Sequence, residues 1–243
     1  MVLFTLAPVG YAANAMGDAG GPFAVYLVVI FASEMGKAVS KETKIDLLVT
    51  PAATLLAGLG IAWLTAAPVG NAANSLGRLI MWATELHPLT MGILVAVLVG
   101  MALTLPISSA AICAGLGLTG LAGGAALAGC CAQMVGFAVM SFRKNRWGGL
   151  VSQGLGTSML QMGNILKNPR VWIPPILTSM ITGPVATCIF RLEMNGAAVN
   201  SGMGTCGLCG PIGVWTGWTD PGAFDWTGLL LVSFVLPAVI CLL

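Results

Sequence analysis

The chain has 243 residues, of which 57% are apolar and only 7% are charged, with 10 Lys and Arg against 8 Asp and Glu. A soluble domain carries charge on about a quarter of its residues. This composition therefore excludes a water-soluble globule, a disordered chain and a nucleic-acid binder, none of which could expose so apolar a surface. With a mean hydropathy of +0.94, the sequence predicts an all-α polytopic membrane protein, embedded in the lipid bilayer as one domain over residues 1–243.

Seven apolar stretches predict membrane-crossing helices. They cover residues 21–38, 45–65, 88–105, 107–121, 123–142, 171–190 and 227–243. Pro106 separates the third stretch from the fourth. This split places both the lysines at 37–44 and the basic cluster at 143–146 in the cytoplasm, where positive charge concentrates. We therefore expect about seven transmembrane helices.

An internal repeat covers the first half of the chain. The string APVGYAAN, which ends at Asn14, recurs as APVGNAAN, which ends at Asn74, and AGLG occurs once in each copy. This spacing predicts an internal parallel repeat with copies over about residues 7–60 and 67–117, as in duplicated transporters. The alternative is chance recurrence in an Ala- and Gly-rich chain. Asn14 and Asn74 are candidate substrate-binding, pore-lining groups or helix caps.

Polar side chains near the predicted spans supply further candidates. Ser108 and Ser109 follow Pro106 at the turn between two half-length spans, where they can contact a solute or bond to helix carbonyls. Glu34 lies one turn from Lys37, and we interpret the two as an ion pair near the cytoplasmic interface rather than an intramembrane functional group. The sequence has no nucleotide-binding loop, nucleophile motif or metal-ligand cluster. We therefore expect no catalytic residue, metal or cofactor.

Residues 149–166 predict an amphipathic helix. Its apolar side carries Val151, Leu155, Met159, Met162 and Leu166. Its other side carries four neutral hydrogen-bonding groups, namely Gln153, Thr157, Gln161 and Asn164. Such groups suit the hydroxyls of a sugar or polyol, whereas a helix lying on anionic lipid would carry Lys and Arg. The alternative is a helix packed under the bundle with its polar side toward water.

A glycine-rich segment, about residues 195–211, is too polar for a regular span. It predicts a re-entrant hairpin, because irregular backbone survives at membrane depth only where it lines a cavity or is buried in protein. The alternative is a plain extracellular loop. Its candidate solute-contacting side chains are Asn195, Asn200 and Thr205. The CxxC spacing of Cys206 and Cys209, without a second ligand pair, is weak evidence for metal binding or disulfide exchange.

Two strings carry a resemblance to a known family. One is GLGTSMLQ at residues 154–161, followed by Asn164; the other is GPVAT at 183–187, followed by Asn195 and by GMGT at 202–205. Over most of its length the chain resembles the EIIC-like membrane proteins of the phosphotransferase system (PTS), a family that includes toxin-regulator, perfringolysin regulator-like proteins. The resemblance implies a homodimeric permease in the bacterial inner (plasma) membrane that carries a sugar, while a separate cytoplasmic phosphotransferase subunit supplies phosphate. It also implies a longer N-terminus than this chain has.

The sequence thus favours a small-solute transporter without a phosphoacceptor domain of its own. It would bind a sugar or polyol between residues 153–164 and 195–205 and work by alternating access. Two hypotheses from other classes stay open. One is a membrane-embedded regulator that senses a ligand and signals through a partner bound at residues 143–147. The other is a channel in which the GMGT string forms a filter of backbone carbonyls.

Overall fold

The structure is a computed structural model that describes residues 2–16, 21–40, 46–218 and 221–242. Within these ranges the regular secondary structure is helical and includes no strand, which confirms the all-α class. The residue contacts divide the chain into two units, Met1–Ser75 and Leu76–Leu243.

The first unit is built from α1 (Val2–Met16), α2 (Gly21–Val39) and the N-terminal part of α3 (Asp46–Thr84). Its core consists of small and β-branched side chains, namely Val9, Ala13, Val28, Ala32 and Ala62. A Cβ on Gly58 would overlap the side chain of Val9. The absence of a side chain at Gly58 therefore permits the close approach of α3 to α1.

An ion pair lies on the exposed surface of α2. Lys37 Nζ donates a hydrogen bond to Glu34 Oε1 at 2.6 Å, and the two side chains are 68% and 64% exposed. This contact confirms the predicted pair. Because exposed pairs one turn apart are worth about 0.3–0.5 kcal/mol, a local surface interaction is enough to explain this acidic residue.

The second unit begins within α3, and its described residues form nine further α-helices. They are α4 (Pro88–Thr104), α5 (Ser109–Gly115), α6 (Gly120–Val151), α7 (Met162–Lys167), α8 (Ile173–Pro184), α9 (Ala198–Ser201), α10 (Cys209–Trp215), α11 (Ala223–Leu230) and α12 (Leu236–Leu242). The described residues include three five-residue π-helical turns. Ser152–Gly156 follows α6, Val185–Ile189 follows α8, and Leu231–Val235 joins α11 to α12. All three pack against α6, and such turns are frequent at functional sites.

Helix α6 forms the centre of this unit, and α4 and α8 pack against it and against each other. Glycines set the spacing of all three helices. A Cβ on Gly129 of α6 would overlap the backbone carbonyl of Ala96 in α4, and a Cβ on Gly183 of α8 would overlap that of Gly92 in α4. Close backbone approach through small residues is the common way for helices to associate in membranes.

Four helical stretches of the described residues are long and apolar enough to cross a membrane. They are Val49–Val69, Gly120–Gly156, Pro169–Ile189 and Ala223–Leu242. The polytopic membrane class is therefore confirmed. The count of seven crossings and the internal parallel repeat remain predictions.

The stretch predicted to cross at 107–121 has an unexpected form. Helix α5 has only seven residues, about 10 Å at 1.5 Å per residue, whereas the hydrocarbon core of a bilayer is about 30 Å thick. Gly117 and Gly120 adopt φ of +62° and +58°, which L side chains rarely adopt, and the chain turns there into α6. Residues 107–121 therefore form a short helix and a turn, and the predicted crossing is not confirmed here.

Candidate functional site

Residues 149–166 are helical, but they do not form the single amphipathic helix that the sequence predicts. Helix α6 ends at Val151, the π turn follows, and the backbone of Thr157 is extended at φ −157° and ψ 142°. A short 3-10 turn, Ser158–Gln161, then leads into α7. The break has a local cause, since glycines on either side of Leu155 weaken the helix and Thr157 Oγ1 caps the next turn by accepting from Met159 N at 3.2 Å.

This segment, residues 152–161, which we call the broken segment, turns three of its polar side chains inward. Gln153 is 4% exposed, Ser158 0% and Gln161 7%. Leu155 and Leu160, by contrast, are 44% and 59% exposed. A helix at a water interface would show the opposite pattern. The inward amides therefore disagree with a helix whose polar side is turned toward water.

The glycine-rich segment folds back on itself as a hairpin. Gly196 N donates to Gly213 O at 2.9 Å, which joins the two ends, and Gly210 N donates to Gly204 O at 3.0 Å near the tip. Thr205 at the tip is fully buried, and its Oγ1 lies 3.6 Å from Met134 Sδ in α6. We call residues 195–213 the hairpin.

The hairpin tip lies well along α6. The chain enters the hairpin just after Met194, which pairs through its backbone with Gly120 at the start of α6. Met134 lies 14 residues further along α6, about 21 Å at 1.5 Å per residue. The tip therefore reaches about 20 Å from the beginning of the longest apolar helix of this unit.

The hairpin contacts both the broken segment and α5. Thr205 Oγ1 donates to Gly154 O at 2.5 Å, and Ser109 Oγ donates to Gly202 O at 2.8 Å. The two segments between which the sequence places the solute are therefore in direct contact, and Ser109 joins α5 to the same group.

Other predicted site residues lie further out or have local partners. Thr157 and Ser108 cap the turns that follow them. Asn164 is exposed and donates to Gln161 Oε1 at 2.7 Å. Asn195 is exposed and donates to Glu193 O at 3.3 Å, and Asn200 is half-buried against Gly213. The side chains of Asn14 and Asn74 lie outside the part of the chain that the structure describes.

A buried polar cluster of Thr104, Gln133, Ser158 and Trp172 was not anticipated from the sequence. Gln133 Oε1 accepts from Trp172 Nε1 at 3.0 Å and from Thr104 Oγ1 at 3.3 Å, and Thr104 Oγ1 lies 3.2 Å from Ser158 Oγ. We call this group the Gln133 cluster. The signal available in the sequence was the amide itself, because a polar side chain in the middle of a predicted span marks a functional candidate.

Two buried amide atoms in this region have no hydrogen-bond partner. They are Gln133 Nε2 and Gln153 Oε1. An unpartnered buried polar group costs about 1–3 kcal/mol, and buried polar groups in proteins are nearly always paired. A free donor and a free acceptor are therefore available here to a molecule that brings its own polar groups.

The carbonyls of the GMGT string are already occupied. Gly202 O accepts from Ser109 Oγ, Gly204 O from Gly210 N, and Thr205 O from Leu208 N. A channel filter needs carbonyls that replace the hydration shell of an ion. These carbonyls stabilise the hairpin instead, and the filter hypothesis gains no support from their geometry.

The CxxC pair gives no further indication of metal binding or disulfide exchange. Cys206 and Cys209 are free, with no disulfide between them, and both are half-buried within the hairpin. The pair is better explained as part of the hairpin's packing.

The bond between hairpin and broken segment gives a first prediction. Thr205→Val keeps the shape of the side chain but removes the donor to Gly154 O, so we expect the free energy of unfolding to fall by about 1–2 kcal/mol. Thermal unfolding in detergent measures the change. Thr90→Val is the matched control, because the Thr90 hydroxyl is exposed and donates only to His87 O in the preceding turn. Equal unfolding temperatures for the two variants would show that the contact does not hold the segments together.

Comparison with known proteins gives one finding over nearly the whole chain. The model of the family described as phosphotransferase system, EIIC matches residues 4–243. No curated protein and no solved structure matches the chain. The match covers both the broken segment and the hairpin.

Proposed function

The chain belongs to the phosphotransferase system EIIC family and is a membrane permease of that system, and from this premise we propose that it carries a neutral sugar or polyol by alternating access. The solute binds between the broken segment and the hairpin, with Gln153, Gln161 and Thr205 nearest to it. The permease works as a homodimer in the bacterial plasma membrane, while a separate cytoplasmic subunit supplies the phosphate.

The inward polarity of the broken segment is the observation that carries this proposal. Gln153 and Gln161 are buried while the leucines between them are exposed, so the amides point into the protein. Burying an amide is unfavourable unless it finds a partner, and Gln153 Oε1 has none in the structure. A bound solute with hydroxyl groups supplies that partner.

The neutral character of the interior supports an uncharged solute. Every buried polar side chain of the described residues is Ser, Thr or Gln, and none is charged. Hydroxyl groups both donate and accept hydrogen bonds and so match amides and hydroxyls. A phosphate or carboxylate taken out of water needs a cationic partner, which these side chains do not offer.

The hairpin supplies the irregular backbone that transporters place at membrane depth. We propose that it re-enters the membrane, because its buried tip lies beside the middle of an apolar helix. Its glycines permit the close packing on α6, where a Cβ on Gly204 would press on Cys130. Movement of the hairpin against the broken segment would expose the site to one side of the membrane at a time.

Exchange of radiolabelled solutes in proteoliposomes tests the proposal. We expect saturable exchange of at least one neutral hexose or hexitol, and no exchange of the matched sugar acid, such as gluconate beside glucitol. Liposomes without protein give the background. Flux that rises linearly with concentration together with single-channel currents would favour a channel, and exchange of the acid alone would contradict the neutral site.

A further inference from the structure

Gln133 lies in the middle of α6 and is fully buried. Its side-chain oxygen accepts two hydrogen bonds, from Trp172 Nε1 at 3.0 Å and from Thr104 Oγ1 at 3.3 Å. An indole N–H can only donate, so the atom facing Trp172 has to be the amide oxygen. The orientation of the amide is therefore fixed, and Nε2 points away from these two partners.

The Nε2 atom of this oriented amide has no partner in the structure. Two N–H groups are thus buried without an acceptor. A side chain that served only to bind Trp172 and Thr104 would leave this donor unpaired at a cost in free energy. Both supporting bonds fix the amide without satisfying Nε2, so this donor is held in a defined orientation and can bind an acceptor oxygen.

The Gln133 side chain lies close to the broken segment. Thr104 links Gln133 to Ser158, at 3.3 Å and 3.2 Å. Thr205 touches both Met134, next to Gln133 in the chain, and Gly154, next to Gln153. Residues 153–158 therefore lie along α6 at the level of Gln133.

We infer that Gln133 is a second solute-binding residue, which donates from Nε2 to an acceptor oxygen of the solute while Gln153 Oε1 accepts from one of its hydroxyl groups. This inference rests on the proposed function, because it assigns a further contact in the same site. Trp172 and Thr104 are positioning residues that fix the amide. A free donor and a free acceptor together fit hydroxyl groups, which both donate and accept hydrogen bonds.

Cysteine labelling tests the placement without knowledge of the solute. Gln133→Cys and Gln153→Cys are treated in native membranes with the water-soluble reagent methanethiosulfonate ethylammonium, and labelling is read residue by residue by mass spectrometry. Native Cys131 is the matched control, because it lies two residues away on α6 and packs into the apolar core. We expect both introduced cysteines to react at least tenfold faster than Cys131, since a solute path has to open to water.

The outcomes separate the two proposals. Labelling of Gln153→Cys alone would overturn the role of Gln133 and leave the proposed function standing. Labelling of neither would overturn both, and labelling of Gln133→Cys alone would overturn the shared site. If Gln133→Cys does not fold, Ser158→Cys replaces it, because Ser158 is joined to Gln133 through Thr104 and the change is nearly isosteric.

Discussion

Gly129→Val is expected to prevent the second unit from folding. Even a single Cβ at this position would overlap the carbonyl of Ala96, and valine adds two more methyl groups. Overpacking against movable side chains already costs about 1–3 kcal/mol. Here the obstacle is backbone, so α4 and α6 have to separate along their length, and the loss is comparable with the roughly 5–15 kcal/mol that stabilises a typical domain. The yield of monodisperse protein in detergent and its unfolding temperature measure the effect.

Gly163→Ala is the control for this prediction. Gly163 lies in α7, is exposed, and an added Cβ would meet no atom within 4 Å. Because alanine favours helix over glycine by about 0.5–1 kcal/mol, this variant should be as stable as the unmodified protein or slightly more so. A stable, monodisperse Gly129→Val protein would contradict the close contact of α4 with α6.

Gln153→Leu is expected to weaken solute binding at least tenfold without loss of stability. In the structure Gln153 Oε1 is buried without a partner, a situation that costs about 1–3 kcal/mol. Leucine has a similar size and removes that cost, so the solute-free protein should unfold at the same or a higher temperature. In this variant the solute loses its hydrogen bond to Gln153 Oε1. A binding site that pairs a ligand hydroxyl with a protein group loses much of its affinity when one of the two partners is removed.

Ser152→Ala serves as the control for Gln153→Leu. Ser152 belongs to the same π turn but is exposed, and its hydroxyl donates only to Gly149 O at 3.3 Å. Solute affinity should be unchanged in this variant. If Gln153→Leu lowered the unfolding temperature by several degrees while affinity stayed the same, Gln153 would be a structural residue and the site would lie elsewhere.

The sequence predicts an all-α polytopic membrane protein because the bilayer itself dictates the apolar composition and the length of the spans. Neither property depends on how the helices pack against each other. The sequence also indicates which segments matter, since the polar side of residues 149–166 and the glycine content of the hairpin are visible as strings. The family match over residues 4–243 agrees with the resemblance seen in those same strings. The toxin-regulator part of that resemblance remains a prediction.

The shape of these segments could not be predicted in the same way. Helical periodicity places Gln153 and Gln161 on one side of a continuous helix, whereas the extended backbone of Thr157 interrupts it. Periodicity also does not show which way the polar side of a helix faces, because that side can contact water or the protein interior. The burial of Gln153 answers this question. It depends on the packing of the broken segment against the hairpin, where Thr205 lies 51 residues after Gly154.

The Gln133 cluster shows a second limit. Thr104, Ser158 and Trp172 come from three separate elements, and no local pattern connects them to Gln133. A search for polar residues inside predicted spans would have singled out Gln133, since intramembrane polar groups are functional candidates. Its partners, and the free Nε2 atom, emerge only from the packing of α4, α6 and the broken segment.

We propose above that the broken segment and the hairpin bind a neutral polyhydroxy solute. Ligand-induced thermal stabilisation of the purified protein is the most direct test of this binding. Neutral hexoses and hexitols are compared with their acid and phosphate derivatives. A solute present at about 100 times its dissociation constant stabilises the folded state by about 2.7 kcal/mol. We expect the unfolding temperature to rise with at least one neutral solute, and we expect no such rise in Gln153→Leu. Stabilisation by the charged derivatives alone, or an equal rise in Gln153→Leu, would contradict the proposed binding.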